Sequence, residues 1–245
     1  MVNEPIEASS QLTRAVIRSG RKTTVQLPIS FARQSGPNPD PPLARILRGG
    51  RGGETRLRLY LTLVMLATKY PYTLPSPTTD VLAATLNLPD PKGAGARRVN
   101  ASLKWLESQK LIRRSKRPGQ TPLIEILHPS GSGETWEKER GPRFIGLPLE
   151  LWSQFWILKM TGRALAVFVA LRELTGGETA PGWAPGPRKA EYGLSADTWT
   201  RATAELEELG LLRVDSVVDH GDYELPRRRN KHELIDAALS TAPVW

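Results

Sequence analysis

RVNASLKWLESQKLIR (residues 98–113) and TWTRATAELEELGLLR (residues 198–213) align without a gap at an offset of 100. Leu106 falls on Leu206, Leu111 on Leu211, Ile112 on Leu212 and Arg113 on Arg213, and Val99 meets Trp199 at the head of the apolar stripe. In each copy apolar residues recur at three- and four-residue steps, the period of a helix with one buried face. Each then runs into an apolar pair that opens a strand. Identity between the copies is low, so the argument for duplication rests on the elements around them.

Those elements recur in the same order. Glu54 to Tyr70 has helical periodicity, with Leu57, Tyr60, Leu61, Val64, Met65 and Thr68 on its stripe. Ser76 is a natural N-cap with Pro77 at the first helical position, which predicts a short helix from Thr78 to Asn87. A Gly-rich turn leads to a longer helix from about Arg97 to Lys110. Leu111–Ser115 and Pro122–Leu127 read as two strands around a polar turn. In the second half, Thr161–Leu174 is helical and apolar on most sides, and a short helix lies near Arg188–Tyr192. Ser195 caps a helix running to about Leu209, with strands at Leu211–Val218 and Asn230–Ile235. Ahead of each set, Phe144-Ile145-Gly146-Leu147-Pro148-Leu149 echoes Val25-Gln26-Leu27-Pro28-Ile29, the latter a short edge strand or extended arm interrupted by proline.

The order helix, helix, turn, helix, hairpin is that of a helix-turn-helix with a β-wing. The segment SADTWTRATAELEELGLLRV resembles the recognition helix and first wing strand of winged-helix DNA-binding proteins. Its Gly210-Leu211-Leu212 matches their turn into the wing, where the first half has Lys110 in place of the glycine. The second half, from LPLELW through RRRNKHEL, also resembles helix-turn-helix proteins of actinobacterial chromosomes and mobile elements. The resemblance implies a mainly α fold with small β-wings (α+β), built as two winged helix-turn-helix units in tandem. The expected division is a mobile N-terminal tail at 1–22, unit 1 at 23–127, a linker at 128–142, unit 2 at 143–237 and a C-terminal tail at 238–245.

In winged-helix proteins the third helix enters the major groove, where base edges carry a unique donor and acceptor code. At about 100° per residue, Val99, Leu103 and Leu106 line the inward face of this helix. The opposite face then carries Arg97, Ala101, Lys104 and Ser108, with Arg98 and Asn100 on its shoulders. Arg97 and Arg98 suit guanine or phosphate, Asn100 adenine, and Lys104 phosphate. Charge follows the same segment: from Lys92 to Arg117 there are nine bases, including Arg113, Arg114, Lys116 and Arg117, and one acid, Glu107, for a net +8 in a chain of +9. The second copy differs, with two bases and five acids from Ser195 to Asp215. Its exposed face, Asp197, Arg201, Ala204 and Glu208, would be repelled by phosphate. The basic cluster of that half is Arg227, Arg228, Arg229 and Lys231, on the second wing. It suits a backbone contact, while the acidic helix suits a protein interface or a homodimer.

Composition sets the outer bounds. The 245 residues are 39% hydrophobic, enough for a packed core, and contain no cysteine, which excludes disulfides and thiolate chemistry. The isoelectric point near 10.0 favours a polyanionic partner, nucleic acid above all, with an anionic membrane surface as the other candidate. Without a signal-type apolar core or a membrane-length apolar run, a cytoplasmic, nucleoid-associated protein is expected. No cofactor loop, nucleophile–base pair or carboxylate cluster is visible, so no enzyme activity is expected. RGGRGG at 48–53 is too short for an RNA-binding box and reads as a hinge. Asp219, His220 and Asp222 read as turn caps rather than metal ligands, and His128 and His232 have no catalytic partner pattern. The expected function is sequence-specific binding of double-stranded DNA for transcriptional control. The alternatives are replication initiation on a plasmid or integrative element, and a winged-helix protein-interaction module.

Overall fold

The computed structural model describes residues 5–34, 40–48, 50, 52–118, 120–137, 144–176, 182–183, 186–219 and 227–245. They form an α+β structure, mainly helical, with three small antiparallel sheets. No helix among these residues is long and apolar enough to cross a membrane.

The first described element is a helix, where composition predicts a mobile tail. Helix α1 (Ile6–Ser19) buries Ala8, Leu12 and Ser19, and Gly20 closes it at φ 65°. Its overall polarity hides a stripe at four-residue spacing that packs against the rest of the fold. Strand β1 (Thr24–Pro28) follows, then a turn of 3-10 helix at Ile29–Phe31 and helix α2 (Pro42–Arg48). Helix α3 (Gly53–Leu66) is buried on nearly every side, as its apolar periphery requires. Arg21 closes its C-terminal end, donating to the carbonyls of Val64, Met65 and Ala67 at 2.7–3.0 Å.

After α3 come strand β2 (Thr73–Pro75), helix α4 (Thr79–Thr85), helix α5 (Ala94–Ser108) and the strands β3 (Ile112–Arg117) and β4 (Gln120–Ile126). Ser76 does not cap α4; Thr78 holds that position. The Ser76 N–H instead bonds the Pro122 carbonyl at 2.8 Å, which extends the β2 pairing and delays the helix. The sheet order is β2-β4-β3, so the hairpin gains a third strand that has too few residues to show a period of two. The expected linker is also partly ordered: Trp136 is 7% exposed and packs at a tilt on Tyr72, ring centres 4.5 Å apart, while residues 138–142 lie outside the described residues.

The second half repeats the scheme. Strand β5 (Phe144–Pro148) leads to the short helices α6 (Glu150–Ser153) and α7 (Trp156–Lys159) and to the buried helix α8 (Gly162–Leu174). Strand β6 (Gly182–Trp183), helices α9 (Gly186–Glu191) and α10 (Ala196–Glu208), strands β7 (Leu212–Asp219) and β8 (Arg227–Leu234), and helix α11 (Asp236–Leu239) complete it. The sheet order is β6-β8-β7, the same as in the first half.

The two halves share one core. Helix α3 packs on α8, and Trp152, fully buried, donates from Nε1 to the Thr62 hydroxyl at 3.3 Å. Glu54 accepts the Gly162 N–H at 2.8 Å, closing the start of α8 with a side chain from α3. Strand β1 pairs antiparallel with its own counterpart β5, centred on Gln26 opposite Gly146; Thr24 faces Pro148 and Pro28 faces Phe144. At the offset of 120 that relates β1 to β5, each of these pairs maps onto the other, so the ladder has local two-fold symmetry.

The best-preserved feature of the repeat is the exit from each long helix. The Leu111 N–H bonds the Leu106 carbonyl at 3.0 Å and the Lys110 N–H bonds Glu107; Leu211 to Leu206 and Gly210 to Glu207 repeat both bonds. This double closure needs a left-handed residue at its centre, and Lys110 (φ 58°) and Gly210 (φ 70°) supply it. The hairpins repeat a cross-strand ion pair as well, Arg113–Glu125 and Arg213–Glu233, each at 3.0 Å.

Candidate nucleic-acid interface

Helix α5 is positioned by the tight turn before it. Asp90, at φ 50°, accepts the N–H groups of Gly93 and Ala94 at 3.1 and 2.7 Å and so satisfies the first free donors of the helix. Gly95 lies where α5 crosses α4. A Cβ there would meet the Pro89 carbonyl oxygen at 2.9 Å and the Ala83 methyl at 3.2 Å. Glycine therefore sets how closely the two helices approach.

Val99, Ser102, Leu103 and Leu106 of α5 are buried, and Ser102 donates to the Arg98 carbonyl at 2.8 Å. Arg97, Arg98, Asn100, Ala101, Lys104 and Ser108 are exposed, the face that helical geometry assigns to the outside. Arg97, Arg98 and Lys104 have no ion-pair partner among the described residues, and Lys92, exposed in the preceding turn, has none either. Lys92 acts at longer range on Asp80, whose carboxyl is held below its ordinary value first by the Thr78 hydroxyl, then by the backbone N–H groups of Asp80 and Val81. Ser108 is not a free donor, since its hydroxyl bonds the Trp105 carbonyl at 2.7 Å. Trp105, off the buried stripe, is half-covered by Arg56 of α3, whose guanidinium lies 4.6 Å from the ring centre.

The hairpin is less cationic than its composition. Arg114 is clamped by Glu107 of α5, with Nη2 and Nε at 2.6 and 2.9 Å from one carboxylate oxygen and the Arg114 N–H at 2.9 Å from the other. Burial works to raise the Glu107 carboxyl, but the hydrogen bonds and charge of Arg114 outweigh it and hold the group below the usual carboxylate range. Arg113 is exposed and paired across the ladder with Glu125. Both arginines are partly neutralised within the protein, which sequence counting could not show because Glu125 is twelve residues away from Arg113. Lys116 and Arg117 end strand β3, and their side chains lie outside the described residues.

The second half presents a different surface at the corresponding place. Trp199, Ala202 and Leu206 of α10 are buried, while Asp197, Arg201, Ala204 and Glu208 are exposed. Ser195 caps this helix by accepting the Thr198 N–H at 3.2 Å. Arg201 is paired with Asp197 at 2.8 Å, so its charge is compensated one turn away. Glu205 turns inward to accept both the N–H and the hydroxyl of Thr161 at the start of α8. Helix α5 carries three bases and one acid; α10 carries one base and four acids. Lys231 is half-buried with its ammonium 5.5 Å above the Trp183 ring. Arg227, Arg228 and Arg229 lie on β8 opposite Asp219, Val218 and Val217, and their side chains lie outside the described residues.

The assembled groups can bind anions. A helix face with two guanidiniums, an ammonium and an amide, all exposed, offers fork and point donors to phosphate oxygens or base edges. Among the described residues no group of histidines and carboxylates could hold a metal ion; His220 and Asp222 lie outside them, as does the Asp219 side chain. His232 is buried, with Nδ1 lacking a hydrogen-bond partner among the described residues, and burial together with Lys189 pushes it down to about 4. Compared with known proteins, the chain matches no family model, no curated protein and no solved structure.

Proposed function

We propose that this chain is a sequence-specific double-stranded DNA-binding protein, with two winged helix-turn-helix units in tandem and α5 as the reading helix. The observation that carries this is the exposed face of α5, where Arg97, Arg98 and Lys104 stand together without ion-pair partners among the described residues. A face that served only solubility would interleave acids, as α10 does. The order α3-β2-α4-α5-β3-β4 supports the same reading, since it presents the third helix of the unit beside a hairpin. Arg97, Arg98 and Asn100 would read base edges, with Lys104 and Lys92 on phosphates. Arg113 and Arg114 have smaller roles, because Glu125 and Glu107 already engage them. We assign transcriptional control as the biological role.

The second unit holds rather than reads. Its helix α10 is acidic, and its only base is committed to Asp197. The reading is tested by selecting bound fragments from random duplex DNA and measuring the affinity of the selected sequence against salt. A recovered consensus and a steep fall of affinity with salt support it. Retention of no duplex at low salt would remove it and leave an interaction module as the better account.

A further inference from the structure

We propose that the exposed face of α1, together with Lys69, is a second phosphate-gripping surface that holds the DNA backbone beside the site read by α5. This rests on the DNA-binding reading above. Helix α1 packs against α4, and α4 in turn packs against α5, so the polar N-terminal helix is a third layer stacked onto the reading pair. Its outward face carries Ser10, Arg14 and Arg18 at four-residue spacing, all exposed; the hydroxyl of Thr13, between them, is spent on the Ser9 carbonyl at 2.9 Å. Hydroxyls and guanidiniums are the side chains that contact DNA backbones without reading sequence.

Arg18 and Lys69 come from different elements yet line one groove of about 200 Å³, whose other walls include Thr73 and Pro75 of β2 and Pro77. Pro77 precedes the N-cap of α4, the helix that crosses the backbone in helix-turn-helix docking. A cation in the last turn of a helix complements the helix dipole, which accounts for Arg18 alone. It does not account for Lys69 meeting it from a separate loop. From Thr13 to Lys22 there are four bases and no acid. One of these, Arg21, is spent on the α3 carbonyls; Arg14, Arg18 and Lys22 are exposed without ion-pair partners among the described residues. Ile17, 74% exposed, lies on the same face, an apolar side chain that a bound partner would cover.

Binding is measured with the full chain and a selected duplex in two lengths: one extended by a helical turn on the side of α1, one trimmed there. Removing two phosphate contacts lowers the slope of log affinity against log salt by about 1.8 and weakens binding at least about tenfold. The R18A/K69A variant therefore loses that much on the long duplex and little on the trimmed one, with its consensus unchanged. Trimming lowers the wild-type protein to the level of the variant. Equal binding by wild type and variant on the long duplex would overturn the proposal, even if R97A/R98A still abolishes sequence preference. Loss of all duplex binding by the wild type would overturn both readings together. Sedimentation with phosphatidylserine vesicles that depends on Arg18 and Lys69, without any effect on DNA, would assign the face to a membrane surface instead.

Discussion

Replacing Lys110 by glycine is expected to make the protein more stable. Lys110 sits at φ 58°, and the two bonds that close α5 require that conformation. A side chain bearing a Cβ loses roughly 1–2 kcal/mol there relative to glycine. Glycine gives back roughly 0.5–1 kcal/mol through the greater freedom of the unfolded chain. The net gain for K110G is then about 0.5–1 kcal/mol, a rise in Tm of about 1–4 °C for a chain of this size. The mirror change is G210A. Among the described residues nothing lies within 4 Å of a Cβ at Gly210, so its cost is conformational, about 0.5–1 kcal/mol by the same balance. Chemical denaturation of both variants measures the two shifts. Destabilisation by K110G, or neutrality of G210A, would refute the equivalence of the two helix exits.

Arg97→Ala with Arg98→Ala is expected to weaken specific binding by about 1–3 kcal/mol for each base no longer read and to broaden the selected consensus, whereas Arg201→Ala changes affinity little; equal effects from the two helices would contradict the asymmetry. His232 has a folded-state pKa of about 4 against an ordinary 6.5, so the unfolded chain takes up a proton that the folded protein resists. Stability is therefore full above pH 6.5 and falls as pH drops toward 4, by up to about 3 kcal/mol. His232→Leu should flatten that profile in urea melts between pH 4.5 and 7.5, and an unaltered profile would exclude His232 as the cause. Arg172, 5% exposed, donates to the Gly146 carbonyl at 2.9 Å and pairs with Asp236 at 2.6 Å, tying β5 and α11 to α8. Asp236→Asn leaves this guanidinium short of its counter-charge and should cost about 2–3 kcal/mol in equilibrium unfolding; a cost below about 0.5 kcal/mol would place its compensation elsewhere.

The long helices were legible because their periodicity is local. Val99, Leu103 and Leu106 are buried, and Arg97, Ala101 and Lys104 are exposed, as helical geometry dictates. Strands β2 and β6 were not legible, having three and two residues, and their pairing depends on distant partners in β4 and β8. Helix α1 was obscured because a polar average conceals the Ala8–Leu12 stripe, which is buried where the helix packs against α3, α4 and α6. The shared core was equally hidden: β1 and β5 each read as an isolated extended segment, and only their pairing makes them a sheet. Within the candidate site, counting charge overstated the hairpin. Arg114 is engaged by Glu107 and Arg113 by Glu125, pairings made by the turn of the chain and the register of the ladder.

Charge points to the interface; what makes it testable is charge left unpaired. The most direct measurement is the salt dependence of duplex binding by the wild-type chain and by R97A/R98A/K104A. Counterion release predicts a steep linear fall for the wild type and a slope shallower by about 2–3 for the triple variant. Identical slopes for the two proteins would mean that this helix face does not meet phosphate, and the account would be wrong at its centre.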